Sequence, residues 1–293
     1  MIIYEGSCKE FVEQSLSSEV EIGELILERF TDLHIGQGAS EVSSWNHSLP
    51  SLAHVLKISE VPPDSDIGIE YNIRGNRHRI DAMVCGKDGD GIESAVVVEL
   101  KQWSTADRTN KPYFVHTIGG AGEDDYWHPS YQAANYVGMI ENFYAYVQDT
   151  PVRFKSCSYL HNMDGANIAL LGDVSIYPQV RDSPVFLKGD EKNLADFISH
   201  FIKSSCKDLL YRIDHSSIKP SPKLSDMLRD ALQGKEFFSY SDEQADAVST
   251  IVQIARDSAK YGEKRTVIVR GRPGTGKSIV AIIVYYLTIY NNT

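Results

Sequence analysis

Three apolar runs, at residues 67–73, 79–85 and 94–100, follow one another with only turn-forming residues between them. They are rich in Ile and Val, and the breaks at Arg74, Gly75 and Asn76 and then from Gly86 to Gly91 are typical strand punctuation. On each side the apolar spacing changes to that of helices. Residues 19–33 place Ile22, Leu25, Ile26, Phe30 and Leu33 at three- and four-residue steps. Residues 41–57 continue as a helix interrupted near Pro50. After a Gly- and acid-rich loop at 119–126, a helix is expected at 130–147, then strands at 154–160 and 169–176 and a helix at 193–204. The order is helix, three strands, helix, strand, an α/β arrangement.

The strand period places chemistry at one end of these runs. Asp81 lies at the start of the second, Glu99 and Lys101 at the end of the third. Residues two apart share a face, so Glu99 and Lys101 point together while Leu100 points into the core. If the two runs pair, Asp81 arrives beside Glu99. Two carboxylates and the Leu100 carbonyl then offer the hard oxygen ligands that Mg²⁺ or Mn²⁺ prefers. Lys101 stands where a water or a developing negative charge would need a cation. The bland alternative is a salt bridge at a strand end.

A second motif stands near the end of the sequence. Gly271-Arg-Pro-Gly274-Thr275-Gly276-Lys277-Ser278 fits the phosphate-loop pattern, after a strand expected at 266–270 and before an apolar helix expected at 278–290. Backbone N–H groups of such a loop face phosphate, Lys277 reaches the β- and γ-phosphates of ATP, and Ser278 ligates Mg²⁺. Only fifteen residues follow Ser278, and none is acidic. ATP hydrolysis also needs a second acidic strand and a residue that positions water. Turnover by these residues alone is therefore not expected.

Two resemblances follow from these residues. Gln132 and Tyr136, one turn apart on the helix after the Gly-rich loop, complete a set with Asp81, Glu99 and Lys101 that resembles the RecB-type branch of the PD-(D/E)XK nucleases. The resemblance implies a restriction-endonuclease-like α-β-β-β-α-β core, a mixed sheet flanked by helices, and metal-dependent cleavage of nucleic acid, DNA in preference to RNA. It also implies an acid on the first core helix, for which Glu41 is the first candidate and Glu60 and Glu70 are weaker ones. The literal Pro-Asp pair is absent, because Ile80 precedes Asp81. Residues 237–247 resemble the Q motif of superfamily 1 helicases, with Gln244 as the adenine reader. The wider order resembles bacterial nuclease–helicase fusions with a schlafen-like or uncharacterised motor, some linked to phage defence. The implied division is a nuclease domain at 1–188 with an acidic helical start, a connector at 189–235, and the opening of a P-loop helicase at 236–293.

The net charge of −11 does not contradict nucleic-acid binding once it is localised. Residues 1–69 carry twelve acids and three bases, whereas residues 70–115 carry seven of each. Four scattered cysteines form no metal or disulfide pattern, and no leader or spanning segment is evident, so a cytoplasmic protein without membrane contact is expected. The rival readings are a catalytically silent nucleic-acid- or partner-binding module that positions a motor, and a nucleotide sensor acting through the phosphate loop. Arg74, Arg77, His78 and Arg79 form a basic turn suited to phosphate, and Trp103, Tyr126 and Trp127 are candidates for base stacking. His128 stands as a residue near the metal, and Cys85 as a core thiol. The His161/Asn162 pair has no assigned role, and oligomeric state stays open.

Overall fold

The computed structural model describes residues 1–33, 39–74, 79–111, 113–119, 122–219 and 242–271, together with Lys277, Val280, Ala281 and Val284. The chain divides into two units, Met1–Lys219 and Pro220–Thr293.

The first unit opens with β1 (Ile2–Ser7), α1 (Cys8–Ser15), α2 (Ile22–Asp32) and α3 (Ala39–Ile58). Then come β2 (Asp66–Asn72), β3 (Arg79–Lys87) and β4 (Glu93–Lys101). A small sheet follows, from β5 (Asp107–Arg108), β6 (Phe114–Gly119) and β7 (Gly122–Trp127). The unit continues with α4 (Pro129–Phe143), α5 (Ala145–Asp149), β8 (Val152–Leu160), α6 (Ile168–Leu171), β9 (Val185–Leu187), α7 (Glu191–Phe201) and α8 (Leu209–Asp214). The main sheet is mixed, with order β1-β2-β3-β4-β8-β9. Its first four strands are antiparallel, and β4, β8 and β9 run parallel. The expected order of helix, three strands, helix and strand stands in the centre of this architecture.

Alternation along the central strands feeds two cores. In β4, Val96 and Val98 pack with α1, α2, α3 and α7, whereas Ala95 and Val97 pack with Ala133, Tyr136 and Ile140 of α4. All four are fully buried, which roughly 25 cal/mol per Å² of apolar surface makes the main source of stability here. Pro50 sits inside α3 without breaking it. A mid-helix proline costs about 3 kcal/mol, and Leu49, Leu52 and Ala53, all buried in the first core, hold the helix together across it.

Several expectations are corrected. Residues 122–126, expected in a loop, lie in β7, which pairs with β6. Residues 169–176 form no strand; they hold α6 and turns, and the sheet gains β9 instead. Residues 189–219, expected to begin a connector, pack within the first unit, with Leu194, Ala195 and Ile198 of α7 in its core. All four cysteines are free and buried.

In the second unit, α9 (Asp242–Tyr261) carries Val248 and Val252 against Val280. Residues 263–270 adopt no regular structure, so the strand expected at 266–270 is absent, and Val267, Ile268 and Val269 are exposed. Among the described residues no helix is long and apolar enough to cross a membrane.

Candidate functional site

The β3–β4 ladder runs in register from Lys87↔Glu93 to Ala82↔Val98 and stops there. The next facing pair would be Asp81 and Glu99. Instead of a backbone partner, the Leu100 N–H finds the Asp81 carboxylate, donating to Oδ2 at 2.7 Å. A side chain thus bridges the place where the strands part. On the other side of β3 the ladder with β2 also lapses, between Ile69↔Ala82 and Tyr71↔Ile80, at the facing positions Glu70 and Asp81. Glu70 has φ +53. The alternation changes phase there. Ile67 and Ile69 face the α3 core, whereas Tyr71 and Ile73 face the α4 core.

At these lapses in the ladders the charged groups read from the sequence gather. Glu99 and Lys101 lie on the Ala95/Val97 face, which α4 covers, and Lys101 Nζ donates to Glu99 Oε1 at 2.6 Å. Glu99 is 1 % exposed, and its second oxygen, Oε2, is buried without a hydrogen-bond partner. Gln132 Nε2 donates to Tyr136 Oη at 2.7 Å, and Tyr136 feels the charges of Glu99, Asp81 and Glu70. Asp81, Glu99, Lys101, Gln132 and Tyr136 are therefore brought together.

Glu41 is placed at the rim. Its Oε1 accepts from Arg79 Nη2 at 2.9 Å, and Arg79 Nε lies 3.1 Å from Glu70 Oε2. Glu70 is the acid nearer the pocket. It is buried, takes the Trp45 Nε1–H at 2.8 Å, and shares its field with Asp81. Glu60 is exposed and lies outside the group, its backbone N–H held by Ser199 Oγ. The signal for Glu70 was a carboxylate inside an otherwise apolar strand, Ile67-Gly-Ile-Glu70-Tyr71.

Electrostatics follow from burial. Burial, then the Asp81 charge, pushes the Glu99 carboxyl up to about 8, against the pull of Lys101. Burial and Asp81 push Glu70 up to about 7, with Arg79 opposing. Burial also raises Asp81, although Lys101 and the Leu100 N–H favour its charged form. Burial works to lower Lys101, but the Glu99 and Asp81 charges outweigh it and raise the ammonium, which stays protonated. Tyr136 is held neutral by burial and the nearby acids. The pocket is short of positive charge. Among the described residues no three His, Cys, Asp or Glu side chains form a ready metal cage. Two carboxylates and a backbone carbonyl make a leaner donor set than such a cage. The orphaned Glu99 Oε2 beside Asp81 fits a hard divalent cation.

The secondary candidates separate cleanly. Arg74 is engaged, its guanidinium donating to Ser216 O at 3.1 Å. Arg77 and His78 lie outside the described residues. Trp103 is buried and Tyr126 packs against its core, leaving only Trp127 of the three well exposed. His128 caps α4, accepting the Ser130 N–H at Nδ1, and burial pulls it down to about 4. It is a neutral structural group. His161 Nε2 lies 3.0 Å from Ser48 Oγ, which also takes the Gln102 amide. In the second unit Lys277 Nζ donates to Gly271 O at 2.8 Å and Gln244 falls within α9. Gly274, Thr275, Gly276 and Ser278 lie outside the described residues, as does the side chain of Gln244.

Compared with known proteins, the chain matches no family model, no curated protein and no solved structure.

Proposed function

We propose that the Met1–Lys219 unit is a divalent-metal-dependent nuclease with a PD-(D/E)XK-type core, hydrolysing phosphodiester bonds of nucleic acid, DNA in preference to RNA. The observation that carries this is the parted β3–β4 end, where Asp81, Glu99 and Lys101 converge and Glu99 keeps a buried oxygen without a partner.

Asp81, Glu99 and the Leu100 carbonyl are the groups that would hold Mg²⁺ or Mn²⁺. In a strand a residue's N–H and C=O project toward the same neighbour, so the Leu100 carbonyl faces the gap that its N–H shares with Asp81. The bound ion supplies neutralisation of phosphate charge and easier deprotonation of water. Lys101, kept cationic by Glu99, orients the attacking water and stabilises charge on the phosphorus oxygens. It holds its proton and is not the base. Tyr136, a neutral O–H donor fixed by Gln132, borders the same space. Arg79 offsets Glu70 and Glu41, which limits acid repulsion at the rim.

The test uses the full chain with single- and double-stranded substrates, with Mn²⁺ or Mg²⁺ and then with chelator. Cleavage should require the ion, vanish in Asp81→Asn and Glu99→Gln, and fall steeply in Lys101→Ala. Equal residual cleavage by Glu99→Gln and the unaltered protein would reject the assignment.

The phosphate loop supports a second, separate reading, that Gly271–Ser278 binds ATP phosphates. The Lys277–Gly271 contact tucks the amine against the first residue of the loop. Loss of ATP-analogue binding in Lys277→Ala is its measure.

A further inference from the structure

We propose that a surface ring stack at the start of α4 is a docking platform for an unpaired nucleobase, which makes single-stranded or frayed nucleic acid the substrate class of the adjoining pocket. The word substrate rests on the nuclease reading above; the binding does not.

Four rings lie in sequence, three on β6, β7 and α4 and the fourth, Tyr113, just ahead of β6. Phe114 of β6 and Trp127 of β7 are cross-strand partners with ring centroids 4.0 Å apart. Trp127 stacks on Tyr131 of α4 at 4.9 Å and 17°, and Tyr131 stacks on Tyr113 at 4.7 Å and 22°. Near-parallel stacking also occurs in the core, where Phe30 lies on Trp45 at 9°, but both of those rings are buried; exposure sets the surface rings apart. Near-parallel rings present flat faces, and the last one is open. Tyr113 is 41 % exposed and Trp127 43 %.

The terminal ring is held there by its backbone. Tyr113 has φ +65, an uncommon conformation for a bulky side chain. Its carbonyl is pinned by the His128 N–H at 2.8 Å, just ahead of α4. Strain of this kind persists where surrounding structure fixes it, and it gathers at ligand sites. Tyr131 directly precedes Gln132, so the stack and the pocket occupy adjoining faces within the first turns of α4.

The charges nearby argue against a phosphate cradle. Lys111 is paired with Asp125, and Glu123 and Asp124 are exposed on the same hairpin. Attraction here therefore comes from the flat ring rather than from cations. Bases stack on aromatic side chains without regard to sequence, provided they are out of the duplex. An unpaired base fits, whereas a closed duplex offers mainly phosphates to an acidic hairpin.

The test measures binding by the full chain carrying Glu99→Gln, using fluorescein-labelled oligothymidylate, an abasic strand of equal charge, and a closed hairpin duplex. Asn tolerates left-handed backbone, so Tyr113→Asn removes the ring while keeping the turn. It should weaken oligothymidylate binding about tenfold, and Tyr113→Trp should restore it. The abasic strand should bind the Glu99→Gln protein as weakly as oligothymidylate binds the Asn variant, and duplex affinity should not change. The proposal is overturned by undetectable strand binding, by Asn-variant affinity equal to that of its parent, by failed Trp rescue, or by equal loss for duplex. Binding through Tyr113 without cleavage by the unaltered protein would sink the nuclease reading and leave the platform standing. Cleavage with strand affinity indifferent to Tyr113 would do the reverse.

Discussion

The acid pocket and the phosphate loop are both short polar motifs that follow an apolar run, yet the two runs differ in fate. Ala95–Val98 lies between β3 and β8 and is wholly buried. Val267–Val269 has no ladder partner among the described residues, and Ile268 is 74 % exposed. The sequences are alike in β-branched content, so propensity does not separate them. What separates them is pairing and burial on both faces, which is most of what strand preference measures. A motif's geometry is only as fixed as the run that carries it. Asp81 and Glu99 are held by a sheet that cannot shift without emptying two cores.

The strongest way to sharpen this contrast is at the pocket itself. Lys101→Ala should lower cleavage by roughly 10²–10³-fold, the usual cost of losing one stabiliser of developing charge, with the circular dichroism spectrum unchanged. Next comes a matched pair of charges placed in the two runs. Val97→Asp should destabilise the first unit by more than about 4 kcal/mol, whereas Ile268→Asp should stay within about 0.5 kcal/mol. Denaturant melts read both, and a costly Ile268→Asp would break the comparison.

A pH series comes third. The raised Glu99 and Glu70 carboxyls, pushed to about 8 and about 7, favour the folded state fully only below their ordinary values near 4.5. That contribution is lost as pH climbs through 7 and then 8. Metal-free protein should therefore lose stability steadily between acid and mildly alkaline solution, read as a falling melting temperature. Glu99→Gln should flatten the upper part of the curve, and Mn²⁺ should raise the melting temperature most at high pH. The smallest effect is expected from Lys277→Ala, which should leave nucleotide-free cleavage within about twofold of the unaltered protein.

How much of this was legible in the sequence depended on periodicity. The strands β2, β3, β4 and β8 and the helices α2, α3, α4 and α7 announced themselves through apolar spacing, and with them the positions of Asp81, Glu99, Lys101, Gln132 and Tyr136. The β6–β7 hairpin did not, because Glu123, Asp124 and Asp125 disguise a strand as a loop. Residues 169–176 misled in the opposite direction, since Ala169, Leu170 and Leu171 look like a strand but are followed at once by Gly172 and Asp173. β1 was hidden because Ile2, Ile3 and Tyr4 run together and Glu5, Gly6 and Ser7 follow, which gives no strand alternation. The acid at the pocket was sought first on the helix, at Glu41, whereas Glu70 reaches it through a local break in β2 that no period foretells.

That break has a consequence of its own. A glutamate kept in left-handed backbone sacrifices about 1 kcal/mol that glycine or asparagine would recover. Glu70→Gly should therefore relax the backbone but strand the buried Trp45 N–H and take one acceptor from the Arg79 guanidinium. An orphaned buried donor costs about 1–3 kcal/mol, so the variant should be no more stable than the unaltered protein, and cleavage should fall. Backbone strain and side-chain bonding thus oppose each other at one residue, and the unusual turn of the chain persists because Trp45 and Arg79 keep their acceptor there.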